Sequence, residues 1–272
     1  MMNRSNISKE RQKYLHDLMV ESFLVRFSQL LIPIVVIIIW EVMANKEIID
    51  SFITSQPSRI VSTFINMLSD DLLLHIGITC FETIIGFLLG SIIGTLIASI
   101  LWWSPFLCKV LTPYLVILNS LPKVALGPII IVWVGAGMPA IITMALAISL
   151  IVTILEMLNG FTSTDTNQIK MVKTFGASKF QVFTKIVFPS NIPNLINALK
   201  VNIGLCMVGV ITGEFLVSKG GLGHLIVYGG QVFKLDLVMT SVIILAIVAS
   251  IMYKVILIIG NIISKKSGFN GR

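Results

Sequence analysis

Five ionisable side chains lie inside or beside apolar runs and are the first candidates for chemistry: Glu82, Lys123, Glu156, Lys200 and Lys254. Such a group costs roughly 2.5 to 3.5 kcal/mol at the centre of a membrane helix unless it pairs, snorkels or faces water. Lys254 and Glu156 are read as lying near span ends, where snorkelling accounts for them, and Glu82 as interfacial, at the start of a span. Lys123 and Lys200 remain as cations that, facing a cavity, would favour an anionic solute. No catalytic machinery accompanies them. The sequence has no G-x-x-x-x-G-K-[ST] phosphate loop, and Gly135-Ala136-Gly137 and Gly220-Gly221-Leu222-Gly223 are too short and too apolar in context to cradle a nucleotide. Cys80, Cys108 and Cys206 fall in or beside apolar runs without CxxC spacing, and His16, His75 and His224 are scattered singly, so neither a disulfide framework nor a metal site is expected. The chain is read as no enzyme, with no cofactor of its own.

The elements that must position these groups follow from composition. With 272 residues, 56% hydrophobic and 12% charged, and a mean hydropathy of +0.95, the chain is too apolar for a soluble domain. An all-α polytopic membrane protein with about six transmembrane helices is expected. The net charge of +7 sits on segments between apolar runs, without aromatic interleaving, which speaks for membrane topology and against nucleic acid. A polar tail, residues 1–26, lacks the pattern of a cleaved secretory signal and is expected to remain. The first span is Phe27 to Ala44, interrupted by Pro33. Residues 45–75 are polar, with a short helix from Ser58 to Leu68. The second span runs from about Thr83 to Trp103 and carries Gly86, Gly90, Ser91 and Gly94. Small residues at that spacing let helix backbones approach closely, within one subunit or between two.

From Pro105 to Pro139 the prolines at 105, 113, 122, 128 and 139 exceed what a straight helix tolerates, so a kink or break is expected, of the kind found beside translocation paths. A fourth span covers Ala140 to Phe161, a fifth runs from Asn191 and Pro193 to about Glu214, and a sixth from Leu237 to Ile263, leaving a tail of 264–272. Between the fourth and fifth spans lies a charged, helix-patterned segment, residues 165–189. Asp165 with Gln168 can cap a first helix, Gly176 can close it, Ser178 with Gln181 can cap a second, and Pro189 stops it. Ile169, Val172, Met171 and Phe175, then Phe180, Phe183, Val187, Val182 and Ile186, recur at helical spacings. Lys170, Lys173, Lys179 and Lys185 fall on the water side. Two short amphipathic helices between spans make a knob able to sit in a pocket of another protein. With both ends inside, the inner segments hold Arg4, Lys9, Arg11, Lys13, Arg26, Lys109, these four lysines, Lys265, Lys266 and Arg272. The outer segments hold Lys46, Arg59, Lys219 and Lys234.

The knob resembles the "EAA" motif of binding-protein-dependent ABC importer permeases: Glu-Ala-Ala, three residues, Gly, nine residues, Ile, any residue, Leu, Pro. Gly176, Ile186 and Pro189 are in register, Phe188 stands at the leucine, and Lys170, Met171 and Val172 replace Glu-Ala-Ala. The run Leu118 to Gly137 is similar to the sulfonate, nitrate and taurine branch. Lys200, Glu214 and Gly221-Leu222-Gly223 resemble the family's order of a basic residue, an acidic residue and Gly-Leu-Gly, with Lys in place of Arg. The resemblance implies the type I ABC importer architecture, with residues 27–263 as the permease domain and both tails cytoplasmic in a bacterial inner membrane. It also implies that Lys170, Lys173, Thr174, Gly176, Ala177, Ser178, Ile186 and Pro189 couple to an ATPase, while Lys123, Lys200 and Glu214 lie along the substrate path.

The partners it implies are ABC ATPase subunits that bind ATP and Mg, an extracytoplasmic substrate-binding protein and a second copy of the chain, all within a lipid bilayer. The solute it implies is an aliphatic sulfonate, with nitrate, taurine or a pyrimidine precursor as rivals. An ion-coupled secondary transporter built on Glu82, Glu156 or Lys200 is the competing class; it would need no docking knob.

Overall fold

The computed structural model describes residues 9–266, and every regular element among them is helical. Of the expected tails, residues 1–8 with Arg4 and 267–272 with Arg272 lie outside the described residues. The helices are α1 (Lys9–Asn45), α2 (Ser51–Thr54), α3 (Pro57–Ser69), α4 (Leu72–Trp103), α5 (Pro105–Ser120), α6 (Gly127–Val134), α7 (Met138–Thr162), α8 (Thr166–Thr174), α9 (Lys179–Val182), α10 (Phe188–Ser190), α11 (Ile192–Val217), α12 (Leu222–Gln231) and α13 (Leu235–Lys266). Among the described residues, α1, α4, α7, α11 and α13 are long and apolar enough to cross a bilayer. A sixth crossing is broken. There α5 meets the Lys123–Val134 helical stretch at 88°. Pro122 holds Leu121 extended (φ −67°, ψ 143°), which ends α5, and Pro128 opens α6, where its missing N–H goes unneeded.

The bundle is built around α7, which packs against α4 on one side and α11 on the other. Small residues allow it. A methyl group placed on Gly86, Gly90 or Gly94 of α4 would stand 2.8 Å from Ala145, Ser149 or Thr153 of α7. The small-residue face therefore serves packing within one chain, where close approach supplies the dispersion contacts that lipid does not. By contrast α1 is exposed along its span. It meets the rest through α3, whose N-terminus it caps: the Ser58 N–H donates to Glu41 Oε2 at 3.0 Å, while the Gln56 side chain makes no cap bond. Arg59 and Asp236, 2.6 Å apart, and the Ser55 hydroxyl donating to Asp236 at 2.7 Å tie the α2–α3 segment to the start of α13.

Three expectations are revised. First, α1 is one helix from Lys9, and Pro33 lies inside it without interrupting it. Second, α4 begins at Leu72 rather than near Thr83, so Glu82 is ten residues inside the helix and 2% exposed, not interfacial. Its Oε2 is buried without a hydrogen-bond partner among the described residues. Third, Pro189 does not stop the second helix of the knob. Residues 183–187 widen into a π turn between α9 and α10, and the chain stays helical to Ser190. A proline ring collides with the carbonyl four residues back in an α-helix, and the wider turn relieves that collision.

Candidate functional site

The knob is assembled almost entirely by neighbours in sequence. Asp165 caps α8 by accepting from the Asn167 N–H at 2.8 Å, so Gln168 is not the capping partner. At the other end Gly176 takes φ +80°, the left-handed conformation that glycine adopts without a Cβ penalty. Its N–H donates to the Lys173 carbonyl at 2.9 Å and that of Ala177 to the Val172 carbonyl at 3.2 Å, the Schellman pair of bonds. Ser178 and Gln181 then form a complete capping box: the Gln181 N–H donates to Ser178 Oγ at 3.3 Å and the Ser178 N–H to Gln181 Oε1 at 2.8 Å.

Its base is fixed to the bundle. Val182 and Val187 are buried with Leu101, Leu158 and Phe161, and Ile169 and Val172 pack against them. Phe183 is enclosed by Trp102, Phe161 and Phe188 at ring separations of 5.0, 5.4 and 6.0 Å. Lys179 Nζ donates to the Trp103 carbonyl at 2.5 Å, satisfying an orphan acceptor at the end of α4, and lies 5.7 Å from the Trp103 ring. Asn191 donates to both the Val187 carbonyl and Thr164 Oγ1 at 2.8 Å, closing the return into α11.

The tip is the opposite. Met171, Phe175 and Phe180 are exposed, Phe175 at 84%. Lys170, Lys173, Thr174, Gly176 and Ser178 are exposed beside them, whereas Ala177, Ile186 and Pro189 are half-buried towards the base. Three exposed apolar side chains are thus rimmed by lysines on a base held by caps and aromatic packing. Sequence reasoning placed Met171, Phe175 and Phe180 on apolar helix faces but did not separate them from the inward-facing Ile169 and Val172. Two apolar stripes on one short helix were the available signal. Trp102 and Trp103 were missed because they belong to another helix.

At the far end of α11 a second polar centre forms. Glu214 is 1% exposed; Thr79 Oγ1 donates to its Oε1 at 2.6 Å and the Gly223 N–H to its Oε2 at 2.5 Å. The Leu222 N–H donates to Thr79 Oγ1 at 2.8 Å and the Gly221 N–H to His75 Nδ1 at 2.9 Å. Glu82, 2% exposed on α4, leaves its Oε2 without a hydrogen-bond partner among the described residues. Thus α4 and α11 together hold the Gly220–Gly223 turn. Gly221, at φ +98°, has no room for a side chain, since a Cβ would collide with the Glu214 carboxyl. Of the three residues assigned to the path, Glu214 lies in this clasp. Lys200 lies on the same helix, about 21 Å nearer the knob end. Lys123 stands at the break after α5, donating to Asn119 Oδ1 at 3.0 Å. The structure does not bring the three together. His75 and Thr79 were not read as partners of the turn, because they precede it by more than 130 residues.

Comparison with known proteins bears on the chain as a whole. A family model described as "Binding-protein-dependent transport system inner membrane component" matches residues 86–268. An ABC transporter permease protein of Haemophilus influenzae is 27% identical over 224 residues, 82% of this chain and 91% of that one. An aliphatic sulfonates transport permease protein of Bacillus subtilis is 26% identical over 223 residues, 82% of this chain and 81% of its own length. The crystal structure of a bacterial ABC transporter involved in the import of the acidic polysaccharide alginate contains a chain with a TM-score of 0.64 at 14% identity, covering 92% of this chain and 99% of that one. At that identity the likeness speaks for the fold.

Proposed function

Because the chain belongs to the binding-protein-dependent transport system inner membrane component family and is an ABC importer permease subunit, we propose that it passes a small organic sulfonate, driven by ATPase subunits docked on residues 165–189. The observation that carries the coupling part is the knob: Met171, Phe175 and Phe180 are exposed on a base fixed by Lys179, Asn191 and the Phe183 cluster. A free-standing channel or ion-coupled carrier has no use for such a surface. The excess of basic residues at this end of the spans supports placing it, and both termini, in the cytoplasm of a bacterium.

On this reading the working unit is a homodimer of the chain with two ATPase subunits and an external binding protein. ATP and Mg reside in the ATPases. Their closure draws the two knobs together and favours the arrangement open to the binding protein; hydrolysis restores the other. The shift between the two arrangements is limited by how strongly ATP and the loaded receptor discriminate between them. The sulfonate assignment is supported by the Leu118–Gly137 run and by the name of the Bacillus subtilis relative.

Two measurements test it. In proteoliposomes holding the chain and its ATPase, loaded binding protein should stimulate ATP hydrolysis, and Gly176→Pro should abolish the stimulation while the assembly stays intact. Uptake that ignores ATP and follows an ion gradient would sink the coupling claim. For the solute, the source strain lacking this gene should lose growth on an alkanesulfonate as sole sulfur source; loss on nitrate or a pyrimidine precursor instead would reassign it.

A further inference from the structure

The uncovered surfaces of the chain differ in how far they restrict a partner. A groove of about 530 Å³ between α11 and α13, lined by Ile203, Gly204, Met207 and Lys254 among others, is almost wholly apolar and suits lipid tails and another helix alike. The knob places apolar side chains beside uncompensated charge. Residues 166–190 hold four lysines, Lys170, Lys173, Lys179 and Lys185, and no aspartate, glutamate, arginine or histidine. Asp165, just ahead of them, engages its carboxylate with the Asn167 N–H at the start of α8.

The four lysines are not equivalent. Lys179 donates to the Trp103 carbonyl and belongs to the base. Lys185 lies in the π turn close to Val187, which is buried in the base. Lys170 and Lys173 are exposed, and among the described residues neither makes a side-chain hydrogen bond or an ion pair. Helical spacing divides the side chains of α8. Ile169 and Val172 turn inward and pack on the base. Lys170 and Lys173, three apart, share one outer edge, and Met171 and Phe175, four apart, share the other. The base rests on Leu101, Leu158 and Phe161, near the ends of α4 and α7, so the outer side of α8 faces away from the spans.

Such a face limits what can cover it. Burying Met171 and Phe175 takes an apolar cleft, and a cleft closing over them brings Lys170 and Lys173 under its rim. There an ammonium without a counter-charge is desolvated at a cost. Backbone carbonyls or hydroxyls at the rim would accept its protons but leave the charge uncompensated; carboxylates do both. An anionic bilayer surface would also take lysines, but it lies alongside the spans, away from the outer side of α8. We propose that the surface receiving the knob is an apolar cleft bordered by aspartate or glutamate side chains, which pair with Lys170 and Lys173 and match this chain to its ATPase by charge as well as by shape. The proposal deepens the docking reading and rests on it for the identity of the partner. Charges at the rim of an interface act mainly on the rate of encounter and its salt dependence, while the buried apolar anchor carries most of the binding energy.

The test measures association of the full chain, in nanodiscs of phosphatidylcholine alone, with the ABC ATPase that copurifies with it. Raising the salt from about 50 to about 500 mM shortens the screening length about threefold. Affinity should fall about tenfold across that range, and Lys170→Gln with Lys173→Gln should shrink the fall to about twofold. Lys170→Glu with Lys173→Glu should weaken low-salt association about tenfold, and Lys185→Glu less than about twofold. A carbodiimide, which condenses an amine with a neighbouring carboxylate and is itself converted to the urea, should link Lys170 or Lys173 to an aspartate or glutamate of the ATPase, read by peptide mass spectrometry. Association that Phe175→Ala weakens but that neither salt nor the lysine substitutions alter would overturn this proposal and leave the docking reading standing. No association, or association that neither Phe175→Ala nor the lysine substitutions alter, would overturn both. An equal loss from Lys185→Glu would show a diffuse field in place of pairs at a rim. Association that requires phosphatidylglycerol in the nanodisc would assign the lysines to lipid.

Discussion

The two ends of α11 solve the same problem in opposite ways. At the knob end the backbone polar groups are satisfied by residues within six positions of one another, through the Schellman pair, the capping box and the Asp165 cap, which leaves three large apolar side chains free to face outwards. At the other end the Gly220–Gly223 turn is satisfied by His75, Thr79 and Glu214, and polar side chains are drawn into the interior. A locally capped segment keeps its tip conformation by its own hydrogen bonds, while its base is anchored on Trp102, Trp103 and Phe161 of the bundle. The clasp depends on α4 and α11 holding register, and so reports on the integrity of the bundle. The contrast predicts that clasp substitutions act on stability and tip substitutions on coupling.

The largest effect is expected at Gly221→Ala, which adds both a strained φ and a collision with the Glu214 carboxyl; a loss of about 3 kcal/mol or more should appear as poor yield and a lowered Tm in detergent. A wild-type melting profile would show that the turn relaxes freely and that the clasp is not rigid. Next, Glu214→Ala should cost about 2 to 3 kcal/mol, because the Thr79 hydroxyl and the Gly223 N–H lose their buried acceptor. Glu214→Gln, which keeps one carbonyl acceptor, should cost less, and equal losses would mean that packing, not hydrogen bonding, holds the turn. At the knob, Gly176→Ala should cost about 1 to 2 kcal/mol for the left-handed φ alone, since a Cβ there meets nothing within 4 Å. Finally, Phe175→Ala should leave the stability within about 0.5 kcal/mol of wild type, as expected for an exposed side chain. It should nevertheless lower stimulation of the ATPase several-fold, and unchanged stimulation would take Phe175 out of the docking surface.

The same contrast explains which features were legible. The broken crossing was readable because prolines act on their own backbone and on the residue before them, and the knob because its caps are spaced three residues apart. The α4–α7 contact was half legible. Gly86, Gly90 and Gly94 announced close packing, but only Ala145, Ser149 and Thr153 opposite them showed that it occurs within one chain. Glu82 reads as a boundary because a carboxylate interrupts an apolar run; only the extent of α4, from Leu72, shows it to be interior. Pro189 was misread as a stop because a π turn leaves no composition signal.

By itself the sequence determined that this is a helical membrane protein with a capped, two-helix knob between its fourth and fifth spans, because hydropathy, proline and capping signals act over a few residues. The tertiary structure decided which apolar knob residues face out, that Glu214 holds a turn together with Thr79, and that Gly204 and Lys254 share a groove. Each of those depends on which helices become neighbours, a matter of shape complementarity between segments more than a hundred residues apart for Thr79 and Glu214, and about fifty for Gly204 and Lys254.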